Sequence, residues 1–233
     1  LKGCHYKGGF DCVAIYLRNN PESRFFSKKG LILGGSHSPS PLNSEAHQGD
    51  LSAVLLQNLN PLVNLIRVPK KPIILMDEWE SKIKAIVENT WNKDVNSLSG
   101  VPSWMLVLIK AVLKKTGREY LTDVWPNLEV FFHGGISFEP YREQYKTLIP
   151  SNKMHYMETY NASEGFFGLQ DDPTDSSLLM MPDYGIFYEF IPMNEVGNAH
   201  PTVLPLESVE TGKNYAMVIT TSGGLWRYQI GDT

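Results

Sequence analysis

The residues best equipped for chemistry cluster in one stretch, Tyr160-Asn161-Ala162-Ser163-Glu164-Gly165. A tyrosine ring can stack on a base, a serine hydroxyl can bond a phosphate oxygen, and a carboxylate can hold a divalent cation. The residues before it, Met154 to Glu158, alternate apolar and polar side chains and favour β structure. They predict a strand that delivers this set at its carboxyl end. Ligands of α/β sheets bind just outside that end. Two readings follow: the floor of a nucleotide site, or a polar turn leading into the next strand, Phe166 to Leu169.

The elements that must position the stretch lie immediately upstream. Leu128 to His133 reads as a strand running into Gly134-Gly135, and Pro140 to Ile149 as a helix. Strand, Gly-Gly turn, helix and strand form a βαβ unit, which implies a parallel pair with a right-handed crossover. Both turns then emerge at one sheet edge, and Gly134-Gly135 falls beside Tyr160. Glycines there let backbone approach a flat ligand closely. Asp232 ends a strand-like run and suits a ribose diol, because a carboxylate accepts two hydroxyl hydrogen bonds.

The rest of the chain reads as follows. Gly8 to Tyr16 is an apolar, helical segment, and Phe25-Phe26 with Leu31 to Gly35 is expected to form a hairpin through Lys28-Lys29-Gly30. Ser36 to Gly49 is read as a loop carrying His37 and His47, and Asp50 to Leu59 as a helix. Asp77 and Glu80 predict a capping box for a helix that places Trp79, Ile83, Ile86 and Val87 on one face. A second helix, Pro102 to Thr116, starts with proline and stops at Gly117. It is core, and its first turn, Ser103-Trp104-Met105, is a candidate wall for an apolar ligand. After Gly165 short strands dominate, predicting an antiparallel region, a small barrel or curled sheet. Thr220 to Gly224 reads as a hairpin turn, because no helix follows to favour an anion. Asp171 to Asp175 reads as a solvated acidic turn.

Composition narrows the function classes. With 21 basic and 25 acidic residues, net charge −4 and no basic run with interleaved aromatics, nucleic acid is not expected as the partner. The apolar run Trp104 to Ile109 is too short to span a bilayer, and Leu1 opens no signal-peptide pattern. Two cysteines, Cys4 and Cys12, without a secretory signal point to a reducing, cytoplasmic setting. Their spacing with His5 matches no standard zinc pattern. Leu1 is not a methionine and Thr233 follows a strand-like run at once, so the sequence is expected to be a piece of a longer polypeptide.

Three motifs in order carry a resemblance: Phe131-Phe132-His133-Gly134-Gly135, Tyr160 to Gly165, and Gly224-Leu225-Trp226-Arg227-Tyr228-Gln229-Ile230-Gly231-Asp232. Together with Gly100-Val101-Pro102-Ser103-Trp104-Met105, they resemble the auxin-responsive promoter (Gretchen Hagen) family of acyl-acid amido synthetases, in the adenylate-forming superfamily. The resemblance implies part of a large N-terminal α/β domain. Residues 1–165 would be an α/β subdomain with adenine-binding turns, and 166–233 an antiparallel β subdomain ending in the ribose motif. It further implies ATP and Mg²⁺, a small carboxylic acid substrate, and an amine acceptor, an amino acid. By the same resemblance Gly134, Gly135 and Tyr160 lie against the adenine, with Tyr160 stacking, Asn161 is among the cofactor-binding residues, Ser163 approaches the α-phosphate, and Glu164 holds Mg²⁺. Ser163 and Glu164 are thus the expected catalytic pair, Asp232 the ribose contact, and Val101, Trp104 and Met105 the border of the acyl pocket. Gln229 and Ile230 depart from the superfamily's Tyr-Arg-Thr-Gly-Asp pattern. The family's phosphate loop is expected upstream of Leu1, and its lysine-bearing C-terminal domain after Thr233. Coenzyme A as the acceptor, or a fragment that binds nucleotide or acid without turnover, are the alternatives.

Overall fold

The computed structural model describes residues 2–39 and 47–231. Helix α1 (Lys2–Asn19) buries a stripe of His5, Gly8, Cys12 and Tyr16, spaced at one turn. Its mid-helix Gly8 has a packing reason: a Cβ there would sit 2.6 Å from the Phe166 ring. Strand β1 (Lys29–Leu33) follows a short 3₁₀ turn at Phe25–Ser27. The hairpin expected between these segments is absent, and β1 instead pairs parallel with strands distant in sequence. Short apolar runs show a strand but not its partner. Strands β2 (His37–Pro39) and β3 (His47–Gly49) pair antiparallel where a plain loop was expected. The His37 and His47 side chains lie outside the described set. Helices α2 (Leu51–Gln57) and α3 (Val63–Ile66), strand β4 (Arg67–Val68) and helix α4 (Lys71–Ile74) complete the first edge.

Helix α5 (Trp79–Thr90) is capped by Glu78, not Asp77: the Glu78 carboxylate accepts from the amides of Glu80 and Ser81. Glu78 has the extended backbone that an N-cap requires. Strand β5 (Val95–Gly100) leads into α6 (Pro102–Thr116), which runs as the sequence indicates. Gly117 closes α6 in the left-handed region (φ 65°), and its amide donates to the Leu113 carbonyl at 2.9 Å. Then come α7 (Leu121–Val124), β6 (Val130–Gly134), α8 (Arg142–Leu148) and β7 (His155–Ala162). Strands β6 and β7 are parallel, as the βαβ reading requires.

Strands β8 (Gly165–Leu169) and β9 (Leu179–Met180) reverse direction yet stay in the same sheet. Among the described residues this sheet has seven strands in the order β4-β1-β5-β6-β7-β8-β9. The change of character at Gly165 is therefore a change of strand direction, and the large sheet continues to Met180. A separate antiparallel sheet has the order β11-β10-β12-β13, from β10 (Ile186–Pro192), β11 (Leu204–Pro205), β12 (Tyr215–Thr221) and β13 (Tyr228–Gln229). It is open among the described residues, not a barrel. The Thr221 to Gly224 segment is the expected turn between β12 and β13, closed by the Gly224 amide donating to the Thr221 carbonyl at 3.1 Å.

The large sheet is covered on both faces. Helices α5, α6 and α8 bury Leu98, Phe131, Ile109, Val112 and Tyr145 on one face. Helix α1 packs over Val130, Met157 and Phe166 on the other. Each fully buried aliphatic or aromatic side chain contributes about 1.5–3 kcal/mol, so this double packing fixes the strand ends that carry the candidate site.

Candidate active site

The carboxyl ends of β5, β6 and β7 meet at one edge in a fixed register: Gly100 lies beside His133 and His133 beside Glu158, with Gly134 beside Thr159. Close approach dictates the glycines. A Cβ on Gly134 would run into the Thr159 carbonyl oxygen and stand 2.7 Å from Thr159 Oγ1. That hydroxyl donates to the His133 carbonyl at 3.1 Å, tying the two strand ends together. Gly135 differs: its φ is 84°, and a Cβ would meet only Val101 Cγ2, at 3.5 Å. Gly134 thus serves strand packing, while Gly135 exposes backbone toward the end of β5.

Tyr160 to Gly165 is the end of one strand, a two-residue turn at Ser163-Glu164 and the start of the next. Both initial readings meet here, because the set is a turn and also stands at the sheet edge where ligands bind. A bulge interrupts the pairing: Tyr160 opposes Gly168 and Asn161 opposes Phe166, so Phe167 is the extra residue. Bulges re-aim side chains. This one sets the Phe167 ring 5.0 Å from that of Tyr160, tilted by 54°. Tyr160 is half-buried and packs with Phe167, Ile186 and Ile219, at the seam between the two sheets. Ser163 is exposed and Glu164 partly so. Gly165 is fixed by packing, since a Cβ would stand 2.6 Å from Ile186 Cδ1.

The expected acyl wall lies one strand over. Val101 is the N-cap residue of α6, and its carbonyl accepts from the Met105 amide at 3.0 Å. The Trp104 ring packs against Trp79 of α5 at 5.6 Å. Met105 is fully buried, so it backs this wall from within the core. Asp232 lies outside the described residues. Its nearest described neighbours are anchored: Ile230 is buried and its amide donates to the Met217 carbonyl at 3.0 Å.

The structure adds residues that the motif left out. His133 is 3% exposed and stacks on Phe138 at 4.2 Å. Burial and the nearby Arg142 guanidinium push its imidazole down to about 3, so it is neutral at ordinary pH. Beside it, burial raises the Glu158 carboxyl, partly offset by a hydrogen bond from the Phe138 amide and by Arg142. Arg142 caps the Phe138 ring at 5.1 Å and donates to Glu139 at 2.8 Å. These groups pin the segment that follows Gly135. The βαβ register alone, His133 opposite Glu158, is the signal that would have found the pair.

Among the described residues no three His, Cys, Asp or Glu side chains gather as a metal site. Cys12 is buried. Asp172 and Asp175 instead accept hydrogen bonds from Thr174 and Ser177, as a solvated turn would. No described helix is long and apolar enough to cross a membrane.

The family model for the GH3 family N-terminal domain matches residues 4–154, and that for the GH3 family central domain matches 179–233. The chain belongs to the GH3 family. Indole-3-acetic acid-amido synthetase GH3.4 of Arabidopsis thaliana is 30% identical over 165 residues, covering 66% of this chain and 26% of that protein. Indole-3-acetic acid-amido synthetase GH3.8 of Oryza sativa subsp. indica is 37% identical over 123 residues, 48% of this chain and 20% of the relative. The chain therefore spans about a quarter or less of the length of these curated relatives. Among solved structures, GH3.15 acyl acid amido synthetase superposes with a TM-score of 0.73 at 16% identity, over all of this chain and 50% of that one. The GH3 fold thus accounts for the parallel sheet together with its antiparallel companion.

Proposed function

We propose that the protein of which this chain is part joins a carboxylic acid to an amine, an amino acid, in the cytoplasm at the expense of ATP. The supporting observation is the sheet edge where Gly134 lies beside Thr159 and Gly135 presents open backbone, with β7 running on into the Ser163-Glu164 turn and Trp104 walling the neighbouring strand end. The acid's carboxylate attacks the α-phosphate of ATP and pyrophosphate leaves. The amine then attacks the resulting acyl carbon and AMP leaves with the electron pair.

In this reading Gly134, Gly135 and Asn161 border the adenine, and Tyr160 offers its ring to it, braced from behind by Phe167. The Ser163 hydroxyl donates toward the α-phosphate, and Asp232 accepts from the ribose. Val101 and Trp104 face the acid, with Met105 behind them. Glu164 suits Mg²⁺: one carboxylate on an exposed turn fits an ion that keeps most of its waters and phosphate oxygens. The bound ion would supply neutralisation of phosphate charge. Residues 1–165 and 166–233 are proposed as the two functional units, nucleotide-lining and ribose-holding.

The test is ATP–pyrophosphate exchange dependent on added acid, with the full protein. Glu164→Ala should lower the exchange rate about a hundredfold, the scale of losing one element of transition-state charge stabilisation. Unchanged exchange would remove Glu164 from the site. Coenzyme A as acceptor predicts thioester instead of amide product, which product analysis separates.

A further inference from the structure

Behind the candidate site, one buried hydroxyl reaches from the core to the backbone of the expected acyl wall. Tyr145 of α8 is 0% exposed, and its hydroxyl donates to the Pro102 carbonyl at 2.7 Å. Burial raises this phenol far above its usual value, so the hydroxyl keeps its proton at working pH and remains a donor. Pro102 follows Val101 and opens α6. The bond therefore fastens α8 to the helical turn that carries Val101, Trp104 and Met105.

The ring of the same residue faces the neighbouring strand end. It stacks on Phe131 of β6 at 5.2 Å with an interplanar angle of 18°, and it lies 5.2 Å from the Phe138 ring. Phe138 closes the segment after Gly135, and its amide is bonded to the Glu158 carboxylate at the end of β7. Val101 meets that segment directly, because a Cβ on Gly135 would stand 3.5 Å from Val101 Cγ2. Tyr145 thus touches both partners of this contact: the first turn of α6 through its oxygen, and the support of the Gly134-Gly135 turn through its ring.

A neighbour in the same cluster supplies the contrast. The Tyr156 ring packs edge-on to Tyr145 at 6.1 Å and lies 5.0 Å from Phe138, yet its buried hydroxyl has no hydrogen-bond partner. Two phenols share one aromatic cluster, and only the Tyr145 oxygen has an acceptor. A buried hydroxyl without a partner contributes nothing that a phenylalanine would lack.

We propose that Tyr145 is a positioning residue for the acid substrate: its hydroxyl sets the first turn of α6 against the Gly135 segment and so fixes the acyl wall relative to the nucleotide. It touches no substrate itself. The inference rests on the proposed function, which seats the acid on that wall.

The experiment is acid-dependent ATP–pyrophosphate exchange with the full protein, using benzoate, phenylacetate and octanoate as probe acids, on Tyr145→Phe and Tyr156→Phe. Each variant loses one oxygen and keeps its ring. Tyr145→Phe should raise the KM for the acid about fivefold, the scale of one net hydrogen bond, and leave the KM for ATP within about twofold. Tyr156→Phe should change neither. A general loss of stability would lower the active fraction without separating the two KM values. An unchanged acid KM in Tyr145→Phe, an equal rise for acid and ATP, a fall in kcat alone, or the same acid effect in Tyr156→Phe would each overturn the proposal while exchange by the wild type leaves the proposed function standing. Wild-type protein with no exchange on any probe acid would overturn both.

Discussion

The two ends of the parallel sheet are built by different means. At the carboxyl end the chain is shaped by what is missing: Gly100 and Gly134 let backbone pass backbone, and neutral buried groups such as His133 fill behind. At the amino end side chains do the joining, with Ser23, Asn96 and Glu129 stitching the segment before β1 to the starts of β5 and β6. The contrast teaches where each kind of sensitivity resides. An edge made of close backbone tolerates no added atoms, while an edge made of hydrogen bonds tolerates no lost ones.

The largest break should come from adding one carbon at the carboxyl edge. Gly134→Ala drives a Cβ into the Thr159 backbone, which cannot move without unzipping β6 from β7. A loss of about 3 kcal/mol is expected, at the upper end for overpacking. Urea unfolding with a wild-type midpoint would show that this edge yields more than the register implies.

Acid comes next. His133 is neutral when folded and has its proton-binding range pushed down from 6.5 to about 3. The unfolded chain therefore takes up the proton first as pH falls. The stability this group contributes is complete above pH 6.5 and is lost through the interval down to about 3. A loss of about 3 kcal/mol between pH 7 and 4 is expected from it. His133→Leu should flatten that slope, though not abolish it, because His5 is lowered to about 4 in the same direction. An identical slope in the variant would mean His133 is not buried in its neutral form.

At the amino edge, Asn96→Ala removes the donor shared by Glu129 and the Arg24 carbonyl. It should cost about 1.5 kcal/mol, the scale of leaving a buried acceptor unpaired, measured again by urea midpoint. The smallest effect belongs to neither edge. Lys115→Ala breaks an exposed ion pair with Glu88 and should change stability by only ~0.3 kcal/mol. A larger shift there would mean that charge on the helical surface matters more than either sheet edge suggests.

Much of the carboxyl edge was legible because its signals are local. Proline at the start and glycine at the end bounded Pro102 to Thr116, and the βαβ pattern put Gly134-Gly135 beside Tyr160 before any coordinates did. What stayed hidden depends on distant partners. Nothing in Lys29 to Leu33 says that it pairs with β4 and β5, and Arg67-Val68 is too short to read as a strand. The cap on α5 fell to Glu78 because backbone conformation, not residue type, chose between neighbouring acids. The strand-like run before Asp232 contracted to Tyr228–Gln229, with Arg227 at a positive φ of 44° just before it. In the site, the bulge at Phe167 could not be foreseen, since it exists only in the pairing of β7 with β8.

That bulge makes Tyr160 answerable to both sheets. Its ring packs in one cluster with Phe167 from the large sheet and with Ile186 and Ile219 from the small one. The proposed base platform is therefore also a mechanical joint. If the proposed function holds, the placing of the base and the posture of the small sheet against the large one would be set at the same side chain.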